Sequence, residues 1–244
     1  MDGKAIRDKV ILALDVENKD IAEKYLKLLE DKLSVIKIGS YLYTQEGPDI
    51  VKRVHDHGMK VFLDLKFHDI PHTVAKTARI VTSLGVYMFT IHTSGGKEMM
   101  RACKESVLKS AEELGVVPPK IVGVTVLSSI DDKILKKELK IGKKRRSYVK
   151  ILSAFAFYSG LDGVVASGEE IKNIKKILNK DFLLVVPGIR PSWFIEADDQ
   201  KKALTPKEAL ALGADYLVIG RPVLKSPDPR HEMDRVYEEI LHIK

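Results

Sequence analysis

The chain has 244 residues, 45% hydrophobic and 31% charged, which is the composition of a soluble globular protein and the length of a single α/β barrel. Lysine and arginine exceed aspartate and glutamate by 41 − 34 = 7, which favours an anionic partner such as a phosphate ester or a nucleic acid. The single cysteine, Cys103, excludes an internal disulfide and a cysteine-based zinc site, while a charged amino terminus and the lack of membrane-length apolar runs predict a cytoplasmic protein.

Along the chain, short apolar runs that end in a polar residue alternate with segments of helical periodicity. The predicted strands are 10–14, 35–39, 60–63 with the residues directly after it, 86–92, 121–127, 163–166, 182–186 and 216–219. The predicted helices are 20–33, 47–57, 72–84, 97–114, 148–158, 169–178, 206–212 and about 229–243. Thr205-Pro206-Lys207-Glu208 has the pattern of a capping box with proline at the first helical position.

Eight such units predict an α/β fold with a single parallel (β/α)8 TIM barrel over residues 1–244. The alternative is an open doubly wound sheet, in which the strand ends would be spread along a crevice. Residues 129–147 are polar, basic and poorly periodic, and we interpret them as an elaborated loop with a short helix. Residues 189–203 also lack periodicity, as is typical of a functional lid.

In a barrel, the carboxyl ends of all strands converge on one mouth, where active residues gather. The polar and glycine residues at the predicted strand ends are Asp15, Lys37, Asp64, Lys66, His92, Thr125 or Ser128, 188–190, Gly220 and Arg221. Two lysines and a carboxylate in a dry pocket keep one another ionised, and each would be costly to bury alone. Lys37, Asp64 and Lys66 are therefore the predicted centre of the chemistry.

The third strand ends in two carboxylates and an ammonium within six residues. Alternate side chains of a strand share a face, so Asp64 and Lys66 are predicted to point into one cavity. An ordinary surface salt bridge is the alternative for this pair. Asp69 comes after the strand and before Ile70-Pro71, so we expect it to point elsewhere, for example towards a neighbouring subunit.

The loops after the seventh and eighth strands form the usual phosphate site of such barrels. Gly188, Gly220 and Arg221 suit that role, and Arg190 and Gln200 are placed to close over the same group. The alternative is that the two glycines merely serve turns.

Five stretches together resemble the orotidine 5′-phosphate decarboxylase family over nearly the whole chain. They are Ala13-Leu14-Asp15, Ile36-Lys37-Ile38-Gly39, Asp64-Leu65-Lys66-Phe67-His68-Asp69-Ile70-Pro71, Pro187-Gly188-Ile189-Arg190 and Val218-Ile219-Gly220-Arg221-Pro222. Several sugar-phosphate barrels share the Asp-x-Lys-x-x-Asp core, whereas the lysine in the second strand and the Ile-Pro ending are narrower marks.

The resemblance implies decarboxylation of orotidine 5′-phosphate to uridine 5′-phosphate, in de novo pyrimidine biosynthesis, with neither metal nor organic cofactor. It implies that Lys66 protonates the carbon that loses carbon dioxide and that Asp64 lies against the substrate carboxylate. It further implies that Asp15 and Lys37 hold the ribose hydroxyls.

By the same resemblance, Ser128 would meet the pyrimidine amide. The phosphate would be bound by Pro187, Arg190, Gln200, Gly220 and Arg221. Asp69 and Thr73 would reach the ribose of the neighbouring chain, so the implied assembly is a homodimer with shared active sites. The resemblance assigns no role to the 129–147 segment or to His68, His72 and His92, and it implies neither a nucleic-acid nor a membrane partner.

Two rival functions remain open at this point. A metal-dependent sugar-phosphate decarboxylase or aldolase on the same barrel would carry an acidic metal ligand where Lys37 stands, and a lysine there repels a divalent cation. A non-catalytic phosphate-ligand or RNA-binding barrel would use the basic run 136–146 as its contact surface. That run has only Tyr148 nearby as a stacking aromatic, which favours a solvated helix face.

Overall fold

The structure, a computed structural model, describes residues 6–178, 181–194 and 203–241. Its strands are Val10–Ala13 (β1), Val35–Gly39 (β2), Lys60–Phe67 (β3), Met88–His92 (β4), Lys120–Val124 (β5), Gly163–Val165 (β6), Leu183–Pro187 (β7) and Tyr216–Ile219 (β8). Its α-helices are Lys19–Leu29 (α1), Ser40–Glu46 (α2), Asp49–Asp56 (α3), Pro71–Ser83 (α4), Gly96–Leu114 (α5), Asp132–Lys137 (α6), Arg145–Tyr158 (α7), Ile171–Lys175 (α8), Pro206–Leu212 (α9), Arg221–Leu224 (α10) and Pro229–Leu241 (α11).

The eight strands form a closed parallel barrel in chain order, with β8 paired to β1 through Leu12 and Ile219. The predicted TIM barrel is thereby confirmed and the open sheet is wrong. Every strand carries its carboxyl end to the same mouth, which is why residues far apart in sequence meet there. Among the described helices, none combines the length and the apolarity needed to cross a membrane.

Two apolar layers stabilise the barrel, because successive strand residues point to opposite faces. The interior is filled by Ile11, Ala13, Val35, Phe62, Met88, Val122, Val185 and Val218. Leu63, which follows Phe62 in the chain, points outwards into the larger core between the strands and the helices. Each fully buried side chain of this size contributes about 1.5–3 kcal/mol relative to an exposed one.

Capping residues define the ends of helices α1 and α9. Asn18 caps α1 by accepting hydrogen bonds from the backbone N–H groups of Asp20 and Ile21. The predicted capping box before α9 is present, with Thr205 and Glu208 each accepting from the other's backbone N–H. Gly213 ends that helix in the left-handed conformation at φ 108°.

The structure differs from the predicted elements mainly in the connections. Helix α2 occupies residues that the periodicity left unassigned, and α10 directly follows β8. Helix α7 begins at Arg145 rather than at Tyr148, because three polar residues precede its apolar stripe. The predicted helix 169–178 is a 3-10 turn over Gly168–Glu170 followed by the short α8.

Candidate active site

The carboxyl end of β3 is irregular. Between Leu63 and Phe67 it advances four residues while β4 advances two, from Phe89 to Ile91, so the ladder is interrupted there. Lys66 lies in this bulge with φ 53°, a left-handed conformation that costs a non-glycine residue about 1–2 kcal/mol.

Thr90, a fully buried residue of β4, fastens this bulge. Its hydroxyl accepts a hydrogen bond from the backbone N–H of Lys66 at 2.9 Å and donates one to Oδ1 of Asp64 at 3.0 Å. One side chain therefore fixes both functional groups of the strand end. Sequence reasoning missed Thr90, because a threonine inside a strand is too common to be a signal.

Four charged side chains alternate in sign across the mouth. Lys66 Nζ lies 2.9 Å from Oδ2 of Asp64, and Lys37 Nζ lies 3.7 Å from the same oxygen. Lys37 Nζ also lies 3.1 Å from Oδ1 of Asp15, the residue that follows Leu14 beyond β1. The Asp64 side chain is only 14% exposed while that of Lys66 is 37% exposed, so this pair is half-buried rather than an ordinary surface salt bridge.

The tight spacing of this cluster depends on a glycine. A Cβ atom at Gly39, the last residue of β2, would lie 3.0 Å from Oδ1 of Asp15 and 3.2 Å from Nζ of Lys37. Both contacts are tighter than most Cβ contacts in proteins, so a larger residue at this position would require the ends of these two side chains to shift by a few tenths of an ångström.

Two adjoining cavities meet at this cluster and share Lys37, Pro187, Gly188 and Val218. The first, about 460 Å³, is named here the arginine lobe, and it is lined by Asp15, Arg190, Gly220 and Arg221 among others. The second, about 220 Å³, is named the apolar lobe, and it is lined by Asp64, Lys66, Ser128 and mainly apolar residues of β5, β6 and β7. The cleft thus joins a polar end that suits an anion to an apolar end that suits a ring.

The arginine lobe is built on the ends of β7 and β8. Gly188 has φ 74°, so it serves a turn that favours glycine and also lines the lobe. A Cβ atom at Gly220 would lie 3.3 Å from Cβ of Ala13. Arg190 is oriented by a hydrogen bond from Nη1 to the carbonyl of Ile189 at 3.1 Å. Gln200 lies outside the described residues.

Of the two polar candidates after β5, only Ser128 lines the cleft. The Thr125 hydroxyl is buried and donates to the carbonyl of Val165 at 3.0 Å, which fastens the end of β5 to β6. Thr125 therefore has a structural contact, whereas Ser128 is exposed to the cavity.

Asp69 and Thr73 are both exposed and do not line the cleft of their own chain. Oδ1 of Asp69 accepts a hydrogen bond from the backbone N–H of Ile70 at 2.6 Å. Asp69 is thus an exposed residue outside the group of Asp64 and Lys66 on its own cleft.

The three histidines left without a role have different surroundings. His92, at the end of β4, is half-buried, and its ring centroid lies 5.3 Å from that of His68. Burial is the main cause that lowers the pKa of His92; electrostatic interactions with His68 and Lys66 lower it further, and the Asp64 carboxylate partly opposes them. This leaves a neutral imidazole beside the charged cluster at neutral pH. His72 is exposed on α4.

The sequence predicts that the basic residues 143–146 belong to a solvated helix face, and this holds for only part of them. Lys143, Lys144 and Arg146 are exposed, as expected. For Arg145 the prediction is wrong, because its side chain is 15% exposed and forms an ion pair with the buried Glu170. No local pattern distinguishes it from its basic neighbours.

Comparison with known proteins identifies the family to which this chain belongs. Residues 8–236 match the family "Orotidine 5'-phosphate decarboxylase / HUMPS family". The chain is 45% identical to orotidine 5′-phosphate decarboxylase of Syntrophotalea carbinolica, covering 96% of this chain and 95% of that protein, and 42% identical to that of a Nostoc species, covering 96% and 97%.

A solved structure agrees with these relatives. The crystal structure of orotidine 5′-phosphate decarboxylase from Lactobacillus acidophilus superimposes with a TM-score of 0.84 at 34% identity, covering 96% of this chain and 99% of that one. The family match spans most of the chain, and the identities extend over nearly its full length. The chain therefore belongs to the orotidine 5′-phosphate decarboxylase / HUMPS family.

Proposed function

We propose that this chain decarboxylates orotidine 5′-phosphate to uridine 5′-phosphate in pyrimidine biosynthesis, with Lys66 as the general acid. The family membership supports the reaction, and the alternating row Lys66, Asp64, Lys37 and Asp15 on the cleft supports the assignment of roles. This row is the observation that carries the proposal. The Lys66 ammonium lines the apolar lobe, which suits a pyrimidine ring, and Lys37 lines both this lobe and the arginine lobe, which suits a phosphate.

In the proposed step, the bond between C6 of the pyrimidine and its carboxylate carbon breaks, carbon dioxide leaves, and the electron pair stays on C6. The Lys66 ammonium stabilises this developing charge and then transfers its proton to C6. Asp64 Oδ2, 2.9 Å from Nζ, holds the ammonium in place. Lys66 regains its proton from solvent, so no cofactor takes part in the step.

The remaining contacts are proposed from the family resemblance, together with the residues that line the two lobes. The phosphate occupies the arginine lobe against Pro187, Arg190, Gly220 and Arg221, with Gln200 closing over it. Asp15 and Lys37, at the junction of the lobes, hold the ribose hydroxyls. The pyrimidine enters the apolar lobe, where Ser128 meets its amide. The charged residues that line the arginine lobe and the mainly apolar residues that line the other lobe support this division.

The active unit is proposed to be a homodimer in the cytoplasm, with Asp69 and Thr73 completing the site of the neighbouring chain. The exposed position of Asp69 supports this, because the residue does not line the cleft of its own chain. Ile70, directly before α4, and Ile80, within α4, are 65% and 60% exposed and are available as apolar contacts in an isologous interface. The buried, unpaired thiol of Cys103 suits a reducing compartment.

The metal-dependent rival is disfavoured by the donor set. The Lys37 ammonium lies between the carboxylates of Asp15 and Asp64 and already neutralises the acidic groups that a divalent cation would need. The nucleic-acid rival loses part of its basic surface, because Arg145 is buried in an ion pair.

Loss of orotidine 5′-phosphate absorbance, measured with and without a chelator, tests the proposed function. We expect the same rate in both conditions. A rate that disappears with the chelator and returns with magnesium would support the metal-dependent rival. Binding of the nucleotide without any turnover would support the non-catalytic one.

A further inference from the structure

Arg145 contacts both ends of the segment 126–132, which carries Ser128 along the apolar lobe. Its side chain reaches the start of the segment, where Nη2 donates to the carbonyl of Val126 at 3.5 Å. Its backbone N–H donates to Oδ1 of Asp132 at the other end. Between these points the segment turns through a hydrogen bond from the Ile130 N–H to the carbonyl of Leu127 at 2.9 Å.

The same guanidinium also holds the neighbouring loop after β6. Its Nη1 donates to Oε1 of Glu170 and to the Ser167 hydroxyl at 3.3 Å. Glu170 in turn accepts from the backbone N–H and the hydroxyl of Ser167 at 3.0 and 2.6 Å. Ser167 and Gly168 line the apolar lobe together with Ser128, so Arg145 joins the two loops that form one wall of this lobe.

This arrangement is a poor source of stability. Glu170 is 3% exposed, and burial raises the pKa of its carboxyl group. Nε of Arg145 is buried, and among the described residues it has no hydrogen-bond partner. A buried ion pair often stabilises a fold no better than apolar residues would, whereas its fixed geometry can specify one arrangement of the chain.

We propose that Arg145 is a positioning residue for the decarboxylation, which sets the position of Ser128 against the pyrimidine by clamping the loops after β5 and β6. This inference rests on the role proposed above for Ser128. The planar fork of the guanidinium reaches a carbonyl on one loop and a carboxylate on the other at once. A lysine at this position supplies the positive charge but lacks the branched guanidinium. It can keep the ion pair with Glu170 while losing the hydrogen bond to the carbonyl of Val126.

Arg145→Lys, with Arg146→Lys as the matched control, tests the proposal. Arg146 is the next residue, is exposed and donates to Asn173 on the surface. We expect Arg145→Lys to lower kcat/KM for orotidine 5′-phosphate by about 10- to 100-fold, as a misplaced contact group does, with an unfolding midpoint equal to that of the control. Equal kcat/KM values for the two variants would overturn the proposal.

A double-mutant cycle with Ser128→Ala separates positioning from a general structural effect. If Arg145 acts through Ser128, the loss caused by Arg145→Lys shrinks in the Ser128→Ala background. Losses that multiply independently would refute the link. If Ser128→Ala alone is fully active, the proposed role of Ser128 fails and this inference falls with it; if it is impaired while Arg145→Lys is not, only this inference fails.

Glu170→Gln provides the same test should Arg145→Lys not fold. The amide keeps the shape of the side chain and removes the charge that holds the guanidinium. We expect a lower kcat/KM that is again coupled to Ser128, compared with Glu169→Gln at the neighbouring exposed carboxylate. An unchanged kcat/KM in a folded Glu170→Gln protein would count against the clamp.

Discussion

Lys66 is one of two non-glycine residues with positive φ in the described part of the chain, and it lies at the centre of the cleft. Its backbone conformation is held by Thr90 and its ammonium by Asp64. Strain that persists at a functional position is maintained by the surrounding contacts, here two hydrogen bonds of the neighbouring strand. The position of Nζ of Lys66 therefore depends on Asp64 of β3 and on Thr90 of β4.

Lys66→Ala is expected to reduce turnover by at least about 10²- to 10⁴-fold, the contribution of a positioned general acid, because the ammonium acts where charge develops. Binding of uridine 5′-phosphate should be largely retained, since the arginine lobe is untouched. Absorbance of orotidine 5′-phosphate measures turnover and calorimetry measures binding. Lys60→Ala, at the opposite end of the same strand, is the control; Lys66→Ala activity within about tenfold of wild type would contradict the assignment.

Thr90→Val keeps nearly the same side-chain shape but removes the hydroxyl. It should therefore disturb the end of β3 only through the loss of hydrogen bonds. It leaves Oδ1 of Asp64 and the N–H of Lys66 without this partner, and we expect a loss of about 1–3 kcal/mol in the free energy of unfolding together with a lower kcat. Urea unfolding and steady-state kinetics measure the two effects. Thr82→Val is the matched control, because the buried Thr82 donates only to a carbonyl within α4. Equal effects of the two substitutions would argue against the proposed fastening.

The packing of α3 against α1 depends on pH through His57. Its two ring nitrogens lie 2.7 and 2.9 Å from Glu30 and Glu23, and these hydrogen bonds raise its pKa above the ordinary value of 6.5. Because the folded-state pKa is raised, the contribution to stability is complete below pH 6.5 and is lost as the pH rises through the folded-state pKa.

We therefore expect the stability advantage of wild type over His57→Gln to decrease as the pH rises above 6.5, measured by urea unfolding. For His55→Gln the advantage of wild type should instead decrease as the pH falls below 6.5, because burial lowers the pKa of His55. A constant difference above pH 6.5 for His57→Gln would show that the imidazole is not charged in the folded state.

At the scale of the whole molecule, the position of Asp69 makes the proposed dimer testable by mixing. Asp69→Ala chains and Lys66→Ala chains are each expected to be inactive. A mixed dimer holds one site with both defects and one with neither, so its activity should return towards half of wild type. Restored activity after subunit exchange, followed by absorbance, supports shared sites.

The control mixture combines Lys66→Ala with Arg221→Ala. Both residues are proposed to serve their own barrel, so each site of the mixed dimer retains one defect and the mixture should stay inactive. Mixtures of Asp69→Ala and Lys66→Ala that exchange subunits and yet stay inactive would instead place Asp69 in its own barrel.

The sequence by itself determined the barrel and most of its cleft. Strand and helix periodicity are local, so the eight units could be predicted, and the barrel rule then brought Asp15, Lys37, Asp64 and Lys66 to one mouth. The motif stretches also matched a family that the comparisons confirm. The tertiary structure decided how these residues meet, through the bulge at Lys66 and the glycine at position 39.

Thr90 and Arg145 could not be predicted, because their contacts join segments that are distant in sequence. Thr90 contacts residues 24 and 26 positions away, and Arg145 reaches Glu170 across 25 positions. Burial of a charged side chain depends on what the rest of the fold places around it. Hydrophobic periodicity in the sequence predicts which face of a helix or strand is apolar. Only the folded chain shows which buried polar side chains have hydrogen-bond partners.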